Sequence, residues 1–404
     1  MESLSTTETA TSKNIPQLRF PEFDDEWIEK KTIDIAHLQR GFDLPNRYIS
    51  KGKYPVVHSK GITKYHNEYK VKGPGVVTGR SGTIGYVNYV KSDFWPHNTT
   101  LWVTNFHKNH PKFIYYFLKI FKLERINSGS TVPTLNRNDV HSIKKNIPKL
   151  PEQQKIANFL TQVDKKIELL EEKQAALEQY KKGVMQKIFN REIRFQIENE
   201  AGERIQPPEW EEKKLGDIGF FKTSSVDKKI DERQNSVFLV NYMDVYKHKT
   251  ISNEAIKYFN KITANKNQID TFNLKKGDIL FTPSSETSDD IGHSVVIFED
   301  IKNTVYSYHL MRFRPSVKID IIYSHYFCNT PFVLRQLSRL ATGSTRFTIS
   351  KGNFSTVKVH LPCLEEQRKI ADFLSAIDTK IGALAERSRS HREWKKGLLQ
   401  KMFV

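Results

Sequence analysis

The sequence predicts a mixed α/β protein in which two globular regions alternate with two long helices that pack against each other. Three observations predict this fold class: one segment occurs twice, both copies have helical periodicity, and the regions between them contain short apolar runs. The copies, Leu150–Phe189 and Leu364–Phe403, align without a gap and share 19 of 40 residues. Unrelated helices do not share gap-free identity of this length, so the chain contains an internal duplication.

Each copy of the repeated segment has a single apolar seam at coiled-coil spacing. In the first copy, apolar residues recur at steps of four, three and four from Ile156 to Ile167. Because one helix cannot bury such a seam alone, the pattern predicts that the two copies pack against each other. The 38 residues from Glu152 to Phe189 would extend roughly 57 Å as a helix.

Two glycines interrupt the helical pattern at equivalent places, Gly183 and Gly397. A glycine in a helix interior costs about 1 kcal/mol relative to alanine. The sequence therefore predicts either a close helix contact or a local break at these positions.

A second repeat marks the start of each globular region. The segment Trp27–Lys31 matches Trp210–Lys214, and Leu18–Phe20 resembles Ile193–Phe195 a little upstream. These matches predict the following boundaries: a polar tail at 1–17, globular regions at 18–149 and 210–363, helices at 150–189 and 364–404, and a linker at 190–209.

The globular regions show local signals for both strands and helices. Periodicity predicts helices at Pro111–Phe121 and Pro331–Leu340. Apolar runs predict the strands Gly75–Thr78, Thr83–Val90, Thr99–Val103, Val237–Val240, Asp278–Phe281 and Ser294–Phe298.

The composition points to an anionic partner. The chain has 64 Lys and Arg against 46 Asp and Glu, a net charge of +18, which favours nucleic acid. Its two cysteines exclude a disulfide scaffold and a multi-cysteine zinc site, and its histidines form no metal motif. No run reaches the roughly 18 apolar residues of a membrane span. Because the polar first residues lack a signal-peptide pattern, we expect a cytoplasmic protein without membrane contact.

Motifs of common nucleotide and DNA chemistry are absent from the sequence. It contains neither a G-x-x-x-x-G-K-[ST] phosphate loop nor the Asn/Asp-Pro-Pro-aromatic tetrapeptide of adenine methyltransferases. This favours a DNA-binding protein without catalysis. Two alternatives stay open: a DNA methyltransferase or nuclease with its own active site, and a coiled-coil scaffold that binds proteins.

Four loops have a composition suited to DNA contact, although each could be an ordinary surface turn. They are Gly79–Gly85, Gly129–Asn138, Thr282–Asp290 and Gly343–Lys351. Arg and Lys suit phosphates and guanine edges, Asn suits adenine, and Ser and Thr suit several partners. Asp289 and Asp290 make the third loop the weakest candidate. The candidate DNA-binding residues are Arg80, Ser81, Thr83, Asn98, Ser130, Thr131, Thr134, Asn136, Arg137, Ser284, Ser285, Thr287, Ser344, Thr345, Arg346 and Lys351.

The duplicated segment resembles that of a known family. Both copies contain E-Q-x-K-I-A-x-F-L, D-x-K-I and K-K-G-x-x-Q-K-x-F, and each follows a globular region that opens with W-x-E-K-K. Over Leu18–Phe403 this arrangement resembles the specificity subunit of type I restriction–modification systems.

The resemblance implies a division of labour between subunits. The globular regions would be target recognition domains, each reading half of a bipartite double-stranded DNA sequence, and the antiparallel helices would hold them apart with pseudo-twofold symmetry. Two modification subunits would methylate adenine with S-adenosylmethionine, and two restriction subunits would translocate and cleave DNA with ATP and Mg. The chain itself would be non-catalytic and hold no cofactor.

The resemblance also carries over a set of helix residues by position. These residues would serve helix packing or modification-subunit docking. They are Ile156, Phe159, Leu160, Val163, Ile167, Tyr180, Lys181, Lys182, Gly183, Ile370, Phe373, Leu374, Ile377, Ile381, Trp394, Lys395, Lys396 and Gly397. Base-reading residues do not carry over, because recognition domains have no fixed code.

Overall fold

The computed structural model describes residues 15–126 and 133–404. The chain divides into two compact units: the first joins the chain up to Lys173 with Leu384–Val404, and the second is Gln174–Ala383. The candidate residues Ser130 and Thr131 lie outside the described ranges. None of the helices within those ranges is long and apolar enough to cross a membrane.

The first unit is built around a four-stranded antiparallel sheet. Its strands, in spatial order, are His37–Arg40, Thr100–Asn105, Gly75–Gly79 and Val87–Val90. A second sheet has the order Gly61–His66, Tyr54–His58 and Trp95–Pro96, and Ile28–Lys31 pairs with Lys144–Ile147. Helical segments are Thr32–Ile35, Asn46–Tyr48, Pro111–Lys119, Leu123–Arg125 and Arg137–Ser142.

The second unit repeats this plan and enlarges it. The equivalent antiparallel sheet has the order Gly219–Thr223, Met311–Pro315, Ile279–Phe281 and Ser294–Val296, and Glu211–Lys214 pairs with Lys358–Leu361. A further sheet has the order Asn260–Ala264, Asn235–Val240, Ile301–Tyr306 and Asn273–Leu274. Short strand pairs join Ser284–Ser285 to Phe347–Thr348 and Ile197–Glu198 to Arg204–Ile205. Helical segments are Leu215–Ile218, Tyr242–Tyr246, Ala255–Tyr258, Lys266–Thr271, Ile321–Phe327, Pro331–Leu340 and Lys351–Thr356.

The predicted strand Thr83–Val90 is wrong in its first half. The strand covers only Val87–Val90, because the chain turns through Gly82 and Gly85, whose φ angles are +83° and +88°. Glycine adopts such angles without a Cβ clash, which makes this segment a loop.

The repeated segments form two long helices, the central helix Leu150–Phe189 and the C-terminal helix Leu364–Lys401. In the first unit Asp164 pairs with Lys395, and Ser388 donates to Glu171 at 3.3 Å, so the helices run antiparallel. The predicted mixed α/β class with paired long helices is confirmed. The seam residues Ile156, Leu160, Val163, Ile167, Ile370, Leu374 and Ile377 are buried, and Ile381, Phe159 and Phe373 are half-buried.

A Tyr–Asp–Lys contact ties each globular region to both helices. In the first unit Asp164 accepts a hydrogen bond from Tyr116 at 2.7 Å and pairs with Lys395. In the second unit Asp378 accepts one from Tyr326 at 2.7 Å and pairs with Lys181 at 2.6 Å. The two helices exchange roles between the units, so the first lysine of each K-K-G motif serves helix pairing.

Buried carboxylates at the helix starts explain the second repeat. Glu152 accepts two bonds from Arg19, each 2.8 Å, and one from the Trp27 indole at 3.3 Å. Glu366 accepts the equivalent bonds from Arg194 and Trp210, at 2.8–3.0 Å. The matching arginines and tryptophans are therefore the partners of these two carboxylates.

The glutamine after each of these carboxylates positions a helix of the globular region. Gln153 donates to the Pro148 carbonyl at 2.9 Å and accepts from the His110 amide at 3.0 Å. Gln367 accepts likewise from the Asp320 amide at 2.9 Å. Because His110 and Asp320 are N-caps, these bonds fix where the capped helices begin.

The expectation for the two helix glycines is wrong. Both helices continue without a break, and a Cβ built at Gly183 or Gly397 has no neighbouring atom within 4 Å. Neither a close helix contact nor a kink accounts for them. Their helix-propensity cost has no compensation within the described chain.

Candidate nucleic-acid interface

The first unit holds Arg80 in a fixed backbone position at the end of a central strand. Gly79 makes the turn possible, because a Cβ there would lie 1.9 Å from the Thr83 carbonyl oxygen. The Arg80 amide donates to the Thr99 carbonyl at 2.8 Å, and its carbonyl accepts from the Leu135 amide at 2.8 Å. Two chain segments far apart in sequence are thus joined at Arg80.

Around Arg80 lies an open pocket of about 510 Å³. Three of its lining side chains are arginines: Arg40, Arg80 and Arg137. Thr134 and Asn136 also line it, so the pocket brings four predicted DNA-binding residues together. Sequence reasoning missed Arg40, which ends a strand forty residues earlier and has no local motif to mark it.

The three arginines have no acidic counterpart in this pocket. No carboxylate is among its lining residues, and within the described ranges no hydrogen bond or ion pair is found for the three guanidinium groups. Arg40 and Arg137 are exposed and Arg80 is half-buried. Such a concentration of unpaired positive charge suits a polyanion.

Three further candidates of the first unit, Ser81, Asn98 and Asn136, have local partners. Ser81 bridges to Thr134 across the two joined segments, and Thr83 is half-buried. Asn98 donates to Asp43. The Asn136 side chain caps the helix Arg137–Ser142 by accepting from the Asn138 amide at 3.0 Å. Asn136 and Asn98 therefore have structural roles in addition to their predicted ones.

The second unit joins its two candidate loops in the same way. Ser284 pairs with Thr348, and the Ile349 amide donates to the Pro283 carbonyl at 2.9 Å, as Leu135 does to Arg80. Ser350 then caps the helix Lys351–Thr356, as Asn136 caps its counterpart. Both units thus present the same loop pair on the same backbone framework.

The side chains on this second loop pair are different. Arg346 donates to the Ser284 hydroxyl at 3.4 Å, and Tyr242, which sequence reasoning missed, donates to the Ser284 carbonyl at 2.8 Å. Ser285 is buried and so turned away from solvent. The candidates Thr287, Ser344, Thr345 and Lys351 are exposed.

The acidic end of the loop Thr282–Asp290 is partly engaged within the protein. Asp290 accepts from Tyr246 at 2.9 Å and pairs with His293 at 2.8 Å. The His293 hydrogen bond holds the pKa of Asp290 below its usual value. This carboxylate is directed at its own domain, while Asp289 stays exposed.

Two neighbouring, half-buried histidines predict a pH-dependent stability of the first unit. The rings of His58 and His97 lie 4.3 Å apart, and burial lowers the pKa of both below 6.5. As pH falls below about 6.5, these histidines are protonated in the unfolded chain but still neutral in the folded one. The free energy of unfolding therefore decreases until the pH is below the folded-state pKa values as well.

We expect the unfolding temperature to fall between pH 7.5 and 5.5, each such histidine contributing at most about 1.4 kcal/mol per pH unit. Thermal unfolding followed by circular dichroism measures this. A variant carrying His58→Gln and His97→Gln should show a flatter pH dependence. A slope equal to that of the wild type would rule out a contribution from this pair.

Apart from the seam residues, the helix residues assigned to packing or docking fall into two groups. Lys181 and Lys395 pair with aspartates of the opposite helix. Tyr180 and Trp394 are 53% and 51% exposed, and Lys182 and Lys396 are exposed as well. The second group, together with the open Gly183 and Gly397, forms what we call the helix-end patches.

A family model matches most of the chain. It is described as the type I restriction modification DNA specificity domain, and it covers residues 24–179 and 207–389. The chain belongs to this family. The two matched ranges each contain one candidate loop pair and most of one long helix, in keeping with the duplication seen in the structure.

Curated relatives carry the same designation. The MjaVIII type I restriction enzyme specificity subunit from Methanocaldococcus jannaschii is 28% identical over 67% of this chain, and the match spans 64% of that relative's length. The putative MjaX specificity subunit of the same organism is 24% identical over 91% of this chain and 83% of its own.

Solved structures share the fold. A type I restriction-modification S subunit from M. genitalium superposes with a TM-score of 0.60 at 17% identity, covering 96% of this chain and 99% of that one. A chain from a structure on complex assembly and conformational transition of the type I R-M system gives 0.58 at 15% identity, covering 93% and 97%.

Proposed function

We propose that this specificity-family chain reads a bipartite double-stranded DNA target, one half with each globular domain, at 18–149 and 210–363. The observation that carries the proposal is the pair of equivalent loop frameworks bearing different side chains. Arg80 in the first framework corresponds to Pro283 in the second, through the same backbone bond. A shared scaffold with exchanged side chains is what reading two different half-sequences requires.

In this proposal other chains perform the chemistry, in the cytoplasm. Two modification subunits holding S-adenosylmethionine would methylate adenine, and two restriction subunits using ATP and Mg would translocate and cleave DNA. The family designation names a specificity domain, and the described residues contain no group of three His, Cys, Asp or Glu placed to hold a metal ion.

The helix-end patches are the proposed contact for the modification subunits. Each has a half-exposed aromatic ring three residues before a glycine whose Cα faces open space. Glycine lets a partner approach the backbone closely, and large exposed aromatics are common anchors of interfaces. A partner at this place would account for glycines that cost helix stability without serving this chain.

Replacing Gly183 and Gly397 by alanine tests this assignment. Each change should stabilise the chain by up to about 1 kcal/mol, because the new methyl group meets no atom and alanine favours the helix. The same variant should bind the modification subunit more weakly. Thermal unfolding and size-exclusion chromatography of the mixed subunits measure the two effects, with Gly382, an exposed glycine of the C-terminal helix where a Cβ likewise meets no atom within 4 Å, as the control position. If the variant is more stable but binds the modification subunit as well as the wild type does, the helix-end patches are not part of the interface.

Domain exchange tests the reading function itself. If residues 27–149 are replaced by the corresponding domain of another specificity subunit, only one half of the methylated sequence should change. A change in both halves would contradict separate reading. Absence of any duplex preference by the assembled complex in gel shifts would favour the protein-binding scaffold, and methyl transfer by the purified single chain would favour an enzyme.

A further inference from the structure

The second unit does not repeat the three arginines of the first-unit pocket. Arg40 pairs with Leu101, and Thr223 pairs with Met311. Leu101 and Met311 in turn pair with the residues that lie two positions before Arg80 and Pro283, so Arg40 and Thr223 are equivalent. At the three places where the first unit has Arg40, Arg80 and Arg137, the second has Thr223, Pro283 and Lys351. The two half-sites therefore meet different chemistry.

Among the three arginines, Arg80 is the one that lies where the two distant chain segments are joined. Backbone bonds of 2.8 Å hold its amide and its carbonyl, and its side chain is half-buried at the pocket. A fixed backbone at this position favours base reading, because a guanidinium must meet two acceptors in one plane. Arg40 and Arg137 line the same pocket and are exposed. An exposed guanidinium can bind a backbone phosphate in several orientations, and such a contact positions the DNA without reading a base.

We infer that the first domain reads a guanine through Arg80, with Arg40 and Arg137 anchoring neighbouring backbone phosphates. The O6 and N7 atoms of guanine are the base acceptors that best match a bidentate arginine in the major groove. The second domain, with proline at the equivalent position, cannot read guanine in this way. This inference rests on the proposed function, since it assigns a base to one of its half-sites.

The test compares methylated sequences in a host that expresses the chain with its modification subunit. The wild type should give one half-site with a guanine at a required position. Arg80→Gln should reduce discrimination at that position by roughly 5- to 150-fold and leave the other half unchanged. Arg346→Gln in the second domain is the matched control and should leave the guanine requirement intact. Arg137→Gln should weaken methylation at all targets equally.

A binding measurement covers the case in which a variant assembles poorly. The wild-type complex should bind a duplex carrying 7-deazaguanine at the required position more weakly than one carrying guanine, since the N7 acceptor is gone. The complex with Arg80→Gln should bind both alike. Two results would overturn the inference. One is equal wild-type affinity for the guanine and 7-deazaguanine duplexes, and the other is a half-site whose guanine requirement does not change in Arg80→Gln. Absence of any bipartite sequence for the wild type would overturn the proposed function instead.

Discussion

Replacing Glu366 by alanine is expected to lower the free energy of unfolding of the second unit by about 3–5 kcal/mol. The Glu366 carboxylate is fully buried and accepts hydrogen bonds from Arg194, from the Trp210 indole and from the Phe195 amide. Without it the Trp210 indole loses its hydrogen-bond acceptor, and the largely buried Arg194 guanidinium keeps only two backbone carbonyls and the exposed Glu209. Urea unfolding followed by circular dichroism measures the change.

The neighbouring residue supplies a matched control. The Glu365 side chain is 41% exposed, and its contacts are the Glu198 amide at 3.0 Å and Lys369 at 4.0 Å. Glu365→Ala should cost well under about 1 kcal/mol, as exposed ion pairs do. If both substitutions lower the free energy of unfolding equally, the buried Glu366 carboxylate does not stabilise the contact between the globular region and its helix.

Raising the salt concentration is expected to weaken DNA binding by the assembled complex more than any single substitution. A complex that neutralises about six phosphates loses about a thousandfold in affinity between 50 and 200 mM salt. The chain carries a net charge of +18, and the unpaired arginines of the first pocket supply part of the contact. Fluorescence anisotropy over a salt series gives the slope of log affinity against log salt.

Single substitutions show which residues contribute to the slope of log affinity against log salt. Arg137→Gln should reduce its magnitude by about one, because one phosphate contact is lost. Lys173→Gln, at an exposed position of the central helix outside the helix-end patches, should leave it unchanged. A nearly flat salt dependence of the wild-type complex would contradict phosphate anchoring as the role of the basic excess.

The repeated parts of the fold could be predicted from the sequence, because residues that recur at equivalent positions make the same contacts in both units. In each unit a buried glutamate at the start of the long helix binds an arginine of the segment before the globular region. These pairs are Glu152 with Arg19 and Glu366 with Arg194. The seam from Ile156 to Ile167 follows from helical spacing, and these residues are buried.

The reading site could be predicted only in part, because its residues meet through tertiary structure. Arg40 reaches the pocket from a strand that neighbours the central strands, and nothing in its local sequence shows this. The expected role of Gly183 failed for a related reason: spacing shows that a residue lies on a helix but not what faces it. Ser285 looked like its exposed neighbours, yet strand pairing buries it.

The most direct test of the account is methylome sequencing of a host with and without this chain, in the presence of its modification subunit. We predict methylated adenines in one bipartite sequence, which has two specified halves separated by a spacer of fixed length and unspecified bases, and only when the chain is expressed. A continuous sequence, or methylation that does not depend on the chain, would contradict it.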